Sequence, residues 1–320
     1  MKKMIGLATA ALLATACGPD FRSGVPTKEM VELKIPQSSA QGLQSSELGE
    51  AKASNAVQGQ RSDAYVLTRA ATTLVNGGTL WVLGLLGAIT EHQPTSQSGN
   101  TAVWGPHTEA LSPTTWKLTV TAQGGDAYSY ALQAKAKDAP DTAFITVLSG
   151  AHVATSNHKG HGEFLLDWDA AATLPEHGPE VGSAIVAYGN DGQDNVVGVL
   201  ARFEGVRDEE TGGRVNANYA YAAVPGVGGG FAFGIRKNIN PSEGSTLENF
   251  TIKSRWLQSG AGRSDAQVSG GDLGSQQATW NECWDTTFNS QFLAVSYDAS
   301  LNYGAEASNC AIQGAEYANL

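Results

Sequence analysis

Cysteine and methionine are scarce, with three of each in 320 residues, and basic residues are outnumbered, 20 Lys and Arg against 31 Asp and Glu. The resulting net charge of −11 argues against nucleic acid or an anionic lipid surface as a partner. There is no C-x-x-C, which removes the usual thiol-redox and zinc-ribbon readings. G-x-S-x-G, H-E-x-x-H and the phosphate-binding P-loop are all missing. Ser, His and Asp occur, but no local spacing gathers them into a nucleophile and base. The pattern therefore favours a non-catalytic protein, and it implies no cofactor.

The chain begins with Lys2 and Lys3, an apolar run from Met4 to Leu13, and Ala14-Thr15-Ala16-Cys17. A basic start, a short apolar stretch and small residues before a cut site are the parts of a secretory signal. The run falls short of the ~20 apolar residues of a permanent membrane helix. Small residues leading directly into a cysteine, with Leu12 and Leu13 upstream, resemble the lipobox of bacterial lipoproteins cut by the lipoprotein signal peptidase. The family pattern has Leu three residues before the cysteine, where this chain has Ala14. The resemblance implies a signal peptide over 1–16 and a Cys17 that carries acyl chains, a durable anchor because several chains act together. Gly18 rather than Asp follows Cys17, which in such lipoproteins implies the outer membrane.

With Cys17 assigned to lipid, Cys283 and Cys310 remain as an even pair. In the oxidising compartment that export implies, they are expected to form a disulfide. The cross-link would stabilise the fold by roughly 3 kcal/mol on chain-entropy grounds.

Residues 17–60 read as a flexible spacer, because Gln37 to Gln60 are small and polar and cannot bury enough apolar surface to offset ordering. Within the spacer, Glu29 to Ile35 alternate apolar and charged residues and fit one strand. Residues 61–320 read as a single β-rich domain. It opens with a helical segment at 62–90, capped by Ser62 or Asp63. Gly77-Gly78 are expected to divide or kink that helix, and its second half is apolar almost all round, so it should be buried.

From about residue 101 the pattern is β. Glycine, present 38 times, punctuates alternating runs: Trp116–Thr121 with Ala127–Leu132, Phe144–Leu148 with Gly162–Trp168, Ser183–Tyr188 with Val196–Phe203. Arg214–Val224 with Phe231–Lys237, Thr246–Leu257 with Arg263–Ser269, then Gln291–Asp298 and Ser308–Gln313 complete the set. About ten strands in sequential hairpins make an antiparallel meander, and a sheet of that size curls or closes. The expected fold is mainly β: a strongly curved sheet or barrel with the N-terminal helical segment packed against it.

Three constellations carry possible chemistry. His152, His158 and His161, followed by Glu163, Asp167 and Asp169, have ligand types suited to a transition metal, but they surround an exposed hairpin tip at Lys159, and no metal is expected. Asp167 and Asp169 would share a strand face. Asn190 to Asn195 have the composition of a calcium loop without its spacing, and a turn explains them. Arg255, Arg263, Asp265 and Glu282 are placed to form one polar network, either a ligand site or ion pairs that fix strand register. The region 250–310 is similar to uncharacterised myxobacterial lipoproteins, a resemblance that implies no activity.

The first expectation is thus a lipid-anchored envelope protein of the outer membrane, a binding or assembly module. It would take an apolar ligand, sheltered by Trp81, Leu85 and Phe233, or an envelope protein partner. The alternatives are an envelope hydrolase using His152, His158, Asp167 and Glu282, and an outer-membrane barrel. Against the barrel, the chain closes on Tyr317-Ala318-Asn319-Leu320 without a terminal aromatic.

Overall fold

The computed structural model describes residues 19–36, 56–156, 159–190, 196–208, 211–239 and 244–320. Among these residues fourteen strands form one sheet. They are β1 (Ser96–Ser98), β2 (Thr101–Thr108), β3 (Thr114–Gly124), β4 (Ala127–Ala136), β5 (Ile145–Ser156), β6 (Lys159–Asp167) and β7 (Ser183–Asn190). The second half holds β8 (Val197–Arg207), β9 (Arg214–Val224), β10 (Gly228–Lys237), β11 (Glu248–Leu257), β12 (Gly262–Gly270), β13 (Gln277–Trp284) and β14 (Ser290–Val295). Each strand pairs antiparallel with the next in sequence. β1 and β14 are the two ends of the order, so the sheet is an open meander and does not close into a barrel.

Period-two alternation sets the faces. In β4, Tyr128, Tyr130, Leu132 and Ala134 are buried, while Ser129, Ala131 and Gln133 between them are not. The same rhythm buries Ala184, Val186 and Tyr188 on β7 and Ala217, Tyr219 and Tyr221 on β9. These inward residues, from Ala102 on β2 to Ala266 on β12, form one continuous core with Ala71, Val75, Val82, Leu83 and Leu86 of a single helix. One helix can touch so many strands only if the sheet bends around it.

That helix is α2 (Asp63–Thr90), and it is pinned at both ends. The backbone N–H of Ala64 donates to Glu282 on β13 at 3.0 Å, and Trp104 Nε1 on β2 donates to the His92 carbonyl just past the helix at 2.9 Å. Gly77-Gly78 do not break it. Each glycine weakens a helix by about 1 kcal/mol relative to alanine, but tertiary contacts outweigh this. Asn76 exchanges two 3.0 Å hydrogen bonds with the Leu33 backbone, and the bare Gly78 lies against the ring of Trp168. Buried Thr68, Thr72, Thr79 and Thr90 return their hydroxyls to carbonyls one turn back, so none is left unpaired inside. By length and composition α2 would also pass for a membrane span. Its Val82, Leu83 and Leu86 are nevertheless buried in the sheet's core, each worth about 1.5–3 kcal/mol. The second half is not buried all round, because Trp81 is 45% exposed.

Part of the expected spacer is structural. Phe21, Val25, Met30, Val31 and Leu33 are buried in the core. Glu29–Ile35 are not a strand: α1 (Lys28–Val31) is a helical turn, and the following residues run extended without joining the sheet. A lone alternating stretch gives strand spacing but no ladder partner, and here the apolar residues find α2 and the sheet's concave face instead. Ser308–Gln313 are likewise not a strand, because α4 (Glu306–Asn309) is a helical turn on the far side of a disulfide. The free edge of β14 is covered, since Gly59 N–H donates to the Ser290 carbonyl and Leu293 pairs with Tyr303.

Leu86→Ala removes a side chain with no exposed surface from the centre of this core. It is expected to lower unfolding free energy by about 2–5 kcal/mol, measured as a shift of the urea midpoint with an unchanged slope.

Candidate functional site

Strand parity divides the expected polar network into two. β12 pairs Arg263 with Cys283, Ser264 with Glu282 and Asp265 with Asn281 of β13. Arg263, Asp265, Asn281 and Cys283 therefore point to the convex face, and Glu282 to the concave one.

On the convex face Asp265 is fully buried beneath the C-terminal segment. Its Oδ1 accepts from Arg263 Nε at 2.7 Å and Asn281 Nδ2 at 2.8 Å, and its Oδ2 from Arg255 Nη2 and the Glu316 N–H at 3.0 Å each. Arg263 also reaches Glu306 at 2.7 Å, and Arg255 and Lys253 hold the two oxygens of Glu316 at 2.5 and 2.6 Å. The Gly314 N–H, then Arg263, hold the Glu306 carboxyl below its ordinary value; Lys253 and Arg255 do the same for Glu316. The disulfide Cys283–Cys310, with Cα atoms 5.5 Å apart, ties the start of this strap to β13. Every Asp265 lone-pair direction is occupied, so the cluster fastens the strap and leaves nothing for a ligand.

On the concave face Glu282 lies beneath the first turn of α2. Tyr65 stacks on Phe288 at 4.3 Å and tilts against Trp284 at 5.8 Å, sealing it from water. Burial, chiefly, and the nearby charge of Asp63 push the Glu282 carboxyl up to about 7, against the pull of Ser290, Ser62 and the Ala64 N–H. Burial likewise raises Asp63 to about 6. Glu282 Oε1 and Asp63 Oδ2 are both buried without a hydrogen-bond partner among the described residues. A shifted acid pair can serve catalysis, but here no cavity reaches it: the gap beside Tyr65, Thr68, Trp256 and Trp284 is too small for a water molecule.

The histidines are not brought together. His152 is not on an exposed tip: it is buried on the concave face, its Nδ1 2.9 Å from Tyr188 Oη, and burial lowers its pKa to about 4. His161 alternates to the convex face and is exposed. His158, like Cys17 and Asp191 to Asn195, lies outside the described residues. Asp167 and Asp169 do not share a strand face, because the strand stops at Asp167, which caps α3 (Trp168–Ala171) by accepting from the Ala170 N–H. Asp169 takes both Nη atoms of Arg214 at 2.8 Å, and this pair holds its carboxyl down to about 2. His152, Asp167 and Glu282, the described members of the hydrolase set, thus sit on β5, at the head of α3 and on β13, with no common cleft.

Trp81, Leu85 and Phe233 do not line one cavity either. Leu85 and Phe233 pack onto the filled core. Trp81 instead borders a surface pocket of about 190 Å³ with Trp116, Trp168, Ala171, Ala172, Leu174, Glu176, His177, Gly178 and Glu180. Its floor is rigid. Trp168 is stacked parallel to Phe203, and the loop after α3 is closed by the Trp168 N–H donating to the Gly182 carbonyl at 3.0 Å and by the Gly182 N–H donating to Asp169 at 2.9 Å. Three of the seven tryptophans in the chain meet here. Trp116 and Trp168 escaped the sequence reading because they belong to separate hairpins. Their even positions, matching the inward parity of Leu118 and Leu166, were the available signal.

The chain matches no protein-family model, no curated protein and no solved structure. The site is therefore read from its own residues.

Two outcomes follow. A carboxyl raised above its unfolded value stabilises the fold when protonated, so the Glu282 contribution is full below about 4.5 and is lost as pH rises through about 7. Urea midpoints should fall between pH 5 and pH 8 by the equivalent of about 3 kcal/mol, and Glu282→Gln should flatten most of that slope. Asp265→Ala leaves two arginines facing each other under the strap and should cost about 3–5 kcal/mol. Limited proteolysis should then cut residues 311–320 first.

Proposed function

We propose that this protein is a non-catalytic binding module of the cell envelope, anchored through lipid on Cys17, and that its ligand enters the three-tryptophan pocket. The observation that carries this reading is the pocket itself. It is a concave aromatic surface open to solvent on a body whose other concavity is already filled by α2 and residues 21–33. A surface cleft of aromatic walls with a few polar groups is the form small-molecule sites take.

The disulfide between Cys283 and Cys310 fits an oxidising compartment. The convex face carries Lys117, Glu163, Arg202, Glu204, Asn218 and Lys253 opposite the buried alternates. Leu165, Ile185 and Leu200 are exposed on the same face, but charged and polar residues of this number differ from the continuous apolar band of a membrane barrel. An anchor at Cys17 has a geometric consequence, since Phe21 is already buried. Four residues span at most about 14 Å, so the body would rest against the lipid surface rather than swing on a long leash.

Fractionation tests the anchor. Wild-type protein should pellet with outer membranes and release into detergent, and Cys17→Ala should move to the soluble periplasmic fraction with the same urea midpoint. Unchanged fractionation of the variant would remove Cys17 as the attachment point.

A further inference from the structure

We propose that the pocket of Trp81, Trp116 and Trp168 binds a methylated ammonium group, a quaternary cation of the choline type. This rests on the reading of the pocket as the ligand site and assigns the chemistry of what enters it.

Three features select that chemistry. First, the walls are indoles, and the indole face is the strongest aromatic partner for a cation through its ring quadrupole. Trp81 presents its side chain to solvent, 45% exposed, while Trp168, 5% exposed, is packed beneath. Second, Glu176 and Glu180 stand in the same wall, and neither takes part in an ion pair among the described residues. The lining holds no Lys or Arg, with His177 its other titratable group, and Arg214 near α3 is already bound bidentately by Asp169. The pocket therefore has negative charge left over, against which a positive ligand is complementary. Third, the lining is mainly apolar, with Ala171, Ala172 and Leu174 between the rings. A pyranose would also stack on indole, but its uncharged hydroxyls would leave the charge of Glu176 and Glu180 uncompensated. A primary ammonium could donate to the two carboxylates, but it is strongly hydrated and would give up that water against the apolar wall. A trimethylammonium has no donor to satisfy, and its methyl groups suit the apolar wall. The volume, about 190 Å³, is below that of drug-sized sites and suits one headgroup.

The cation can reach the pocket free in solution or as a phospholipid headgroup, and one experiment separates ligand class from source. Tryptophan fluorescence and calorimetry of the purified full-length chain in non-ionic detergent are followed against choline, against its uncharged isostere 3,3-dimethylbutan-1-ol, and against cellobiose. Choline is expected to saturate, with the isostere at least tenfold weaker and cellobiose silent. Trp81→Ala should weaken choline at least tenfold and Trp81→Phe much less. The double variant Glu176→Gln/Glu180→Gln should bring choline and the isostere to similar affinity. All three altered side chains face solvent, so an unchanged urea midpoint verifies folding. Equal binding of the isostere, or binding of cellobiose alone, would overturn the cation assignment and leave a ligand pocket standing. Silence of all three titrants would remove the pocket reading as well. Flotation of the Cys17→Ala chain, which has no anchor of its own, on phosphatidylcholine and on phosphatidylglycerol vesicles identifies the source. Selective capture by phosphatidylcholine supports a headgroup, and choline binding without capture supports a soluble cation.

Discussion

The structure depends on α2 filling the concave side of a single sheet. Fourteen antiparallel strands in one layer offer one apolar face and no second layer of strands to cover it. Such a sheet either closes on its own side chains or wraps something else. Here it wraps a helix of 28 residues, about 42 Å long at 1.5 Å per residue, held to β13 at its first turn and to β2 just beyond its last. The distance between those attachments sets how far the sheet must travel round, and residues 21–33 fill the space that one cylinder leaves. Among the described residues the concave face is occupied in this way by α2 and residues 21–33, and the solvent-open pocket of Trp81, Trp116 and Trp168 is a separate concavity.

Filling a curved sheet with a helix also forces polar groups inside. The strands bring Ser254 and Ser264 against Thr68, and these three hydroxyls satisfy one another at 2.6–3.3 Å. A neutral, paired hydroxyl of this kind adds on the order of 1 kcal/mol. Glu282 is different in kind: as a carboxylate it would be a buried charge next to Asp63, and the fold favours it protonated. The same residue receives the Ala64 N–H, one of the donors that every helix leaves unpaired at its start. Docking of α2 over Glu282 buries the carboxyl and raises its pKa, which is why the predicted pH dependence lies above the range in which the paired surface carboxylates titrate.

Local pattern was sufficient for the strands whose alternation is uninterrupted, such as β4, β7 and β9, because period two determines a face without knowledge of the neighbour. It was insufficient for three kinds of residue. β13 carries Trp280, Glu282 and Trp284 on one parity and Asn281 and Cys283 on the other, and both sides are buried, so no apolar-polar rhythm marks it as a strand. Gly77-Gly78 looked like a break because propensity is local, whereas Asn76 and Trp168 act on them from elsewhere in the chain. Met30, Val31 and Leu33 were hidden in a polar neighbourhood whose mean composition gave no core, although individually they are only 2–3% exposed. The disulfide was legible because it follows from counting sulfurs. The split of Arg263 and Glu282 onto opposite faces was legible in principle, since nineteen positions separate them across one hairpin whose register decides parity, but that register is set by the turn.

The contrast between the two polar sites explains which of them can act on something outside the chain. At Asp265 four donors meet two oxygens, and the two arginines among them are in turn held by Glu306 and Glu316. A ligand there would have to displace an intramolecular bond for each one it formed, so the exchange yields little. At the pocket the carboxylates of Glu176 and Glu180 make no ion pair among the described residues, and an indole as exposed as that of Trp81 holds surface in water that folding alone did not remove. Binding free energy comes from interactions a fold leaves unmade, and at this pocket exposed indole and unpaired carboxylates stand side by side. Saturated charge fastens the chain to itself, while unsaturated charge beside exposed aromatic surface remains free to recruit.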